Sequence, residues 1–356
     1  MKKHLFAIAF SAVLIVFSAY FALDTFVISK SYSSAVEMNT AMFAEVSSDA
    51  SSEQSSSSAV QVAEQIAQQQ SRASGRRFGS GHAGGTALRH SAPSHRSSSA
   101  NTGSSSTNSN SSAAVTSSIN NTSYQNENVS ITLNAYRVND TTVYVADVTL
   151  SSAQYLKTAF ANNTYGKNVT ATTSSIAQAN NAILAINGDY YGVQEKGYVI
   201  RNGVVYRNTA KGVDVLCIYA DGTMEVVSDR EYSAEELVAK GVWQAFSFGP
   251  ALVESGSVTV GVNTEVGKAM ASNPRTAIGL IDKNHFVFVV SDGRTSESTG
   301  LSVYQLATFM QSLGVKTAYN LDGGGSSTMV FNGVVVNKPT TTGRIGERGV
   351  SDIVYI

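Results

Sequence analysis

The sequence predicts a mixed α/β domain (α+β) over residues 124–356, and three observations carry that reading. Apolar runs of strand length at 182–187, 285–290 and 318–321 each stop at an Asn or Asp beside glycine. The pairs Asn202-Gly203, Asp221-Gly222 and Asn332-Gly333 separate β-rich runs in the manner of two-residue hairpin turns. Between 301 and 313, apolar residues fall at Val303, Leu306, Ala307, Met310 and Leu313, the period of an amphipathic helix.

In chain order, strands are expected at 130–138 and 142–150, then a helical stretch at 174–181 and the strand ending at Asn187. Hairpins fill 198–227. A helix at 233–240 starts from Ser233 as N-cap, with Glu235 and Glu236 in its first turn. Asp282-Lys283-Asn284 turns the strand 276–281 back into the one from His285. The helix at 301–313 joins the strand ending at Asp292 to the one ending at Asp322, a βαβ arrangement that sets both loops side by side.

The richest segment chemically is Asn320-Leu321-Asp322-Gly323-Gly324-Gly325-Ser326-Ser327. Three glycines in a row let backbone N–H groups converge without a Cβ in the way, as an anion site requires. Ser326 and Ser327 add hydroxyl donors, and Asp322 puts an acid at the rim. Residues two apart on an extended chain share a face, so Asn187 with Asp189, and Asn320 with Asp322, each project a polar pair to one side. With Asp292, three strand ends deliver carboxylates where ligands of α/β sheets bind.

Residues 1–30 read as a signal anchor. Lys2 and Lys3 precede an apolar run from Leu5 to Leu23, long enough to span a bilayer, and the positive-inside rule leaves the rest of the chain outside a single-pass cell membrane protein. Residues 31–123 read as a Ser-rich disordered linker, too poor in apolar side chains to offset the entropy of ordering. Its Arg72, Arg76, Arg77, Arg89 and Arg96 with His82, His90 and His95 suit either a plain tether or attachment to an anionic wall polymer. A segment held outside the cell is no nucleic-acid partner. A net charge of −1 directs the whole chain to no class of ligand. Cys217, the single cysteine, lies in an apolar strand and reads as a buried thiol. His285 is the one histidine of the predicted domain, too few for a Ser-His-Asp hydrolase or a His-rich zinc site. Carboxylate chemistry remains.

Taken in order, Asn187-Gly188, Phe248-Gly249-Pro250-Ala251-Leu252-Val253, Pro274-Arg275-Thr276-Ala277-Ile278-Gly279, Asp292-Gly293-Arg294, 320–327, Asn337-Lys338-Pro339 and Glu347-Arg348 resemble the phosphodiester glycosidase family over about residues 125–356. Family members often carry a small residue where Asp189 stands, and a proline where Gly349 follows Arg348. The resemblance implies a hydrolase that cleaves the glycosidic bond of a sugar 1-phosphodiester, in bacterial members linked to exopolysaccharide at the cell surface. It implies Asp322 and Glu347 as the carboxylate pair of a glycosidase. Arg275 and Arg348 would hold the phosphate oxygens, since a guanidinium fork matches them. Asn187, Asn320 and Asp292 would orient sugar hydroxyls, with Asp189 and the 323–327 loop also at the substrate. No cofactor is implied. Two other readings stay open: a metal-dependent phosphodiesterase holding a divalent ion such as calcium on Asp189, Asp292 and Asp322, and a noncatalytic polysaccharide-binding module.

Overall fold

The computed structural model describes residues 10–20, 23, 29–31, 122–266 and 272–356. The linker expected at 31–123 lies outside them apart from its ends. Of the N-terminal apolar run, 10–20 is helical, and among the described residues no helix is long and apolar enough to cross a membrane.

The domain is built on an eight-stranded sheet in the spatial order Ser257–Val258, Ala251–Glu254, Thr317–Asn320, Arg275–Asp282, His285–Ser291, Thr141–Leu150, Val129–Val138, Ser123–Gln125. Two five-stranded sheets flank it. One runs Val334–Val335, Met329–Phe331, Leu184–Asn187, Asp352–Tyr355, Lys157–Phe160; the other runs Met224–Ser228, Asp214–Tyr219, Val242–Phe246, Val199–Arg201, Val204–Arg207. The central strands alternate, but both of their faces are covered. Phe286, Phe288 and Val290 enter the main core with Ile278, Leu184, Ile186, Leu216 and Phe246 from all three sheets. Val287 and Val289 point the other way, against Val303, Leu306, Ala307 and Met310 of the helix Val303–Ser312. This two-sided burial is why 285–290 reads as one unbroken apolar run. Gly279 lets that helix approach: a Cβ there would meet Met310 Cε at 2.8 Å.

Local signals set the elements where they are read. Asn202 and Gly203 both take positive φ, as do Asn332 and Gly333, the backbone of a type I′ hairpin turn. Ser233 with Glu236, and Ser302 with Gln305, close capping boxes on the helices Ala234–Ala239 and Val303–Ser312. Cys217 is fully buried, and burial pushes its thiol up to about 12.

The expected βαβ unit takes a different form. Among the described residues every strand pairing of the eight-stranded sheet is antiparallel. His285–Ser291 and Thr317–Asn320 do run the same way, but Arg275–Asp282 lies between them and opposes both, with Arg275 across from Ser291 and Ala277 across from Asn320. A helical crossover fixes only that two strands are parallel, leaving room for a third in the gap. The start of one strand and the ends of two others therefore meet at one sheet edge. That places Arg275 between the segments that begin at Asp292 and Asp322.

Candidate functional site

A cavity of about 520 Å³ opens at this edge. Arg275, Asn320, Asp322, Gly323, Gly324 and Arg348 line it, so six of the thirteen expected site residues meet there. Arg294, Lys211, Asn273, Tyr190 and Phe248 line it as well.

Among the described lining residues, four cations face one carboxylate. Arg275 is 3% exposed, and its Nε donates to the Leu301 carbonyl at 2.9 Å. Burial, with the neighbouring Arg294 charge adding to it, pulls its guanidinium down to about 10. A negative charge placed in the cavity would favour the protonated form of such an arginine. Arg294 is held by Asn273, whose Oδ1 accepts from Nε at 3.0 Å and Nη2 at 2.9 Å. Burial lowers the Lys211 ammonium, which donates to Gln194 Oε1 at 2.7 Å.

Asp322 Oδ2 accepts from Ser326 Oγ at 2.6 Å and from Arg348 Nη2 at 2.9 Å. Burial raises its pKa above the ordinary aspartate value, with Arg348 and Ser326 pulling the other way. Arg348 also donates to Ser326 Oγ, so Asp322, Ser326 and Arg348 form one locked triangle. Asn320 is 1% exposed; its amide nitrogen donates to the Gly249 carbonyl at 2.8 Å, while its Oδ1 has no partner among the described residues. Asn320 lines the cavity, and a buried acceptor without a partner is an unmet hydrogen-bonding demand at that wall.

The glycine loop is not the amide nest expected of it. Gly324 N–H donates to the Pro274 carbonyl, Ser326 N–H to Gly323 and Ser327 N–H to Gly324, so these donors are spent inside the protein. The glycines serve close packing instead. A Cβ on Gly323 would meet the Pro274 carbonyl at 2.9 Å, and one on Gly324, at φ +61°, would come within 3.0 Å of the Arg294 guanidinium. Gly325 packs against Thr341, and Ser327 accepts from Thr276 Oγ1 at 3.2 Å.

Four further expected residues have partners elsewhere. Glu347 takes the backbone N–H of Ser174 at 3.0 Å and its hydroxyl, which caps the helix Thr173–Ala179; it does not line the cavity with Asp322. The carboxylate pair expected of Asp322 and Glu347 is therefore split. Asn187 is a buried clip: its Nδ2 donates to the Asp322 carbonyl at 2.7 Å and its Oδ1 accepts from Thr276 at 2.8 Å. Asp292 accepts the Lys338 N–H at 2.7 Å, and burial raises its pKa. Asp189 receives Arg201 at 3.0 Å and the Ser247 N–H at 3.1 Å. The shared face expected for Asn187 and Asp189 does not form, because Asp189 turns into this buried ion pair. Asp189, Asp292 and Asp322 face three different sets of partners. Among the described residues no three His, Cys, Asp or Glu side chains gather as a metal-holding group.

Of the residues not singled out from sequence, Arg294 and Phe248 lie inside the ordered motifs quoted above. Lys211, Asn273 and Tyr190 carried no signal, since only the folding of distant loops brings them to the edge.

The family description "Phosphodiester glycosidase" matches residues 180–356. The chain is 32% identical over 134 residues to human N-acetylglucosamine-1-phosphodiester alpha-N-acetylglucosaminidase, covering 35% of this chain and 26% of that protein. It is 30% identical over 179 residues to the SPbeta prophage-derived uncharacterized protein YomE of Bacillus subtilis, covering 49% of this chain and 28% of that one. The chain thus spans under a third of either relative. Among solved structures, the zebrafish N-acetylglucosamine-1-phosphodiester alpha-N-acetylglucosaminidase catalytic domain, auto-inhibited by its pro-peptide, superposes with a TM-score of 0.51 at 20% identity over 68% of this chain and 86% of that one. A hypothetical protein from Synechocystis gives 0.50 at 14% identity over 64% and 62%. These two share the fold.

Proposed function

Because residues 180–356 belong to the phosphodiester glycosidase family, we propose that this domain hydrolyses the glycosidic bond of a sugar 1-phosphodiester in the cavity beside Asp322. The observation that carries the reading is the composition of that cavity: among the described lining residues, Lys211, Arg275, Arg294 and Arg348 stand around one carboxylate, with the unpartnered buried acceptor of Asn320 beside them. A phosphodiester supplies the missing negative charge, and a sugar hydroxyl supplies the missing donor.

Cleavage of the anomeric C–O bond passes through an oxocarbenium-like state. Negative charge grows on the departing phosphomonoester, which Arg275 and Arg294 stabilise through charge-assisted contacts. That group is a weak base and leaves without a proton, so one carboxylate suffices. Asp322 accepts the proton of the attacking water; the burial that raises its pKa makes it a stronger base than an exposed aspartate. Arg348 and Ser326 hold it in place. Tyr190 and Phe248, with rings 6.2 Å apart and edge to face, flank the sugar at the mouth. N-acetylglucosamine 1-phosphodiester, which the vertebrate relatives' name specifies, is the first substrate to try.

The setting we propose is extracytoplasmic, with residues 1–30 anchoring the chain and a cell-surface polysaccharide or wall polymer as substrate. Lys2, Lys3 and the apolar run after them support this. External protease on intact cells is expected to free a soluble domain, and full protection would remove the topology.

Turnover in ¹⁸O-labelled water tests the reaction. Label on the released sugar is expected; label on the phosphate would mean P–O cleavage and a phosphodiesterase.

A further inference from the structure

A second cavity of about 320 Å³ lies against the first, and Gln194 lines both. Its walls are aromatic. Tyr165 stacks on Tyr191 with centroids 5.2 Å apart and planes at 17°, and Tyr206 tilts against Tyr165 at 5.1 Å. Lys167 and Glu195, paired at 2.5 Å, stand at the same cavity, with the Glu195 side chain 71% exposed. Tyr191 is 2% exposed, and the Gly166 amide is a hydrogen-bonding neighbour of its hydroxyl. Arg207 holds this wall by donating to the carbonyls of Gly197 at 2.6 Å, Gln194 at 2.5 Å and Tyr191 at 3.1 Å.

Aromatic ring surface beside an acceptor and a cation suits a ligand that is apolar on its faces and polar at its rim. A pyranose has that form. The volume is near the lower end of the roughly 300–1,000 Å³ of small-ligand sites, which limits the occupant to about one sugar unit. Resting on the hydrolase reading above, we propose that this cavity is a second carbohydrate subsite that holds a sugar next to the cleaved linkage. The enzyme then acts on a polymer and grips it on both sides of Gln194. Four cations at one cavity and stacked tyrosines at the other divide the work: the phosphate and the sugar whose bond is cleaved in the first, a neighbouring neutral sugar in the second.

Saturation-transfer NMR on the full chain with maltotriose and tri-N-acetylchitotriose tests the subsite without relying on catalysis. Neither sugar has a phosphate with which to occupy the cationic cavity. Transfer from tyrosine rings to one of them is expected, with affinity reduced about tenfold or more in Tyr206→Ala, the loss of one good contact. Should Tyr206→Ala not fold, Glu195→Ala at the exposed rim is expected to show the same loss. Absence of binding to both sugars, or binding untouched by the substitutions, overturns the subsite. A second measurement compares a one-sugar methyl phosphodiester with a trisaccharide-extended one. Glu195→Ala is expected to cut kcat/KM for the extended diester alone, and an equal fall for both would overturn the proposal. If neither diester is turned over, the hydrolase reading fails while the binding experiment still decides the subsite.

Discussion

Two arginine–aspartate clusters in this domain use the same side chains to opposite ends. Behind the cavity, Arg201 donates to Asp352 at 2.7 Å and to Asp189 at 3.0 Å, with all three side chains at most 3% exposed. Its guanidinium also lies over the Phe246 ring at 4.2 Å. Burial opposes the Arg201 charge, but the two carboxylates outweigh it and hold the group protonated more firmly than an ordinary arginine. At the cavity, Arg348 meets Asp322 at 2.9 Å with side chains 43% and 14% exposed, and Arg275 is lowered by burial and then by the arginine next to it. The first cluster has its opposite charges in place. At the second, among the described lining residues, four cations stand around one carboxylate, and the proposed binding site rests on that imbalance.

The sharpest break between the two comes from Asp322→Asn. Removing the carboxylate that takes the proton is expected to lower kcat on the order of 10⁴-fold, ~5 kcal/mol of barrier, with the melting temperature nearly unchanged. Turnover close to the parent's would take Asp322 out of the mechanism.

Arg201→Met attacks the other cluster. It leaves Asp189 and Asp352 buried without a counter-charge, so unfolding in urea is expected to show about 3–5 kcal/mol of lost stability. Whatever protein remains folded should keep kcat within a few-fold. A stable but inactive Arg201→Met would make this cluster part of the chemistry.

The contrast between the clusters was invisible in the sequence. Asp189, Asp292 and Asp322 all follow an apolar strand and all neighbour a glycine, so local pattern treats them alike. What separates them is the partner each meets: Arg201 twelve residues away, the Lys338 amide forty-six away, or Arg348 twenty-six away. Its place in the ordered motifs sets Glu347 beside Asp322, but its carboxylate accepts from Ser174, in the first turn of a helix that begins 174 positions earlier. Signals that act over four residues or fewer fared better. The Asn-Gly turns, both capping boxes and the helix Val303–Ser312 are legible because backbone φ, a side-chain oxygen and helical period act locally. Sheet order was not legible, since nothing in residues 285–320 announces that Arg275–Asp282 inserts between two parallel strands.

Arg275→Ala is expected to cost less than Asp322→Asn, about 10²–10³-fold in kcat/KM, because one of several donors to the leaving phosphate disappears. Arg275→Lys keeps the charge but loses the fork and the bond to Leu301, so it should recover only part of this. Full activity in Arg275→Ala, with circular dichroism unchanged, would shift the phosphate to Arg294 and Lys211.

The smallest effect concerns pH and tests whether Arg348 tunes Asp322. Burial raises the Asp322 pKa above its ordinary value, and the Arg348 charge is the largest influence opposing that rise. A carboxylate that works as a base must be ionised, so kcat/KM is expected to fall on the acid side as pH drops through this raised pKa. Arg348→Met removes the opposing charge and leaves the burial. The acid limb is then expected to move to higher pH, with Asp322 protonated where the parent enzyme is still ionised, while the rate well above both values drops less than in Arg275→Ala. A pH profile of kcat/KM for the two proteins reads the shift directly. A limb that stays in place, or moves to lower pH, would show that the residue losing its proton there is not Asp322, and the triangle of Asp322, Ser326 and Arg348 would then be a structural lock like the one around Arg201.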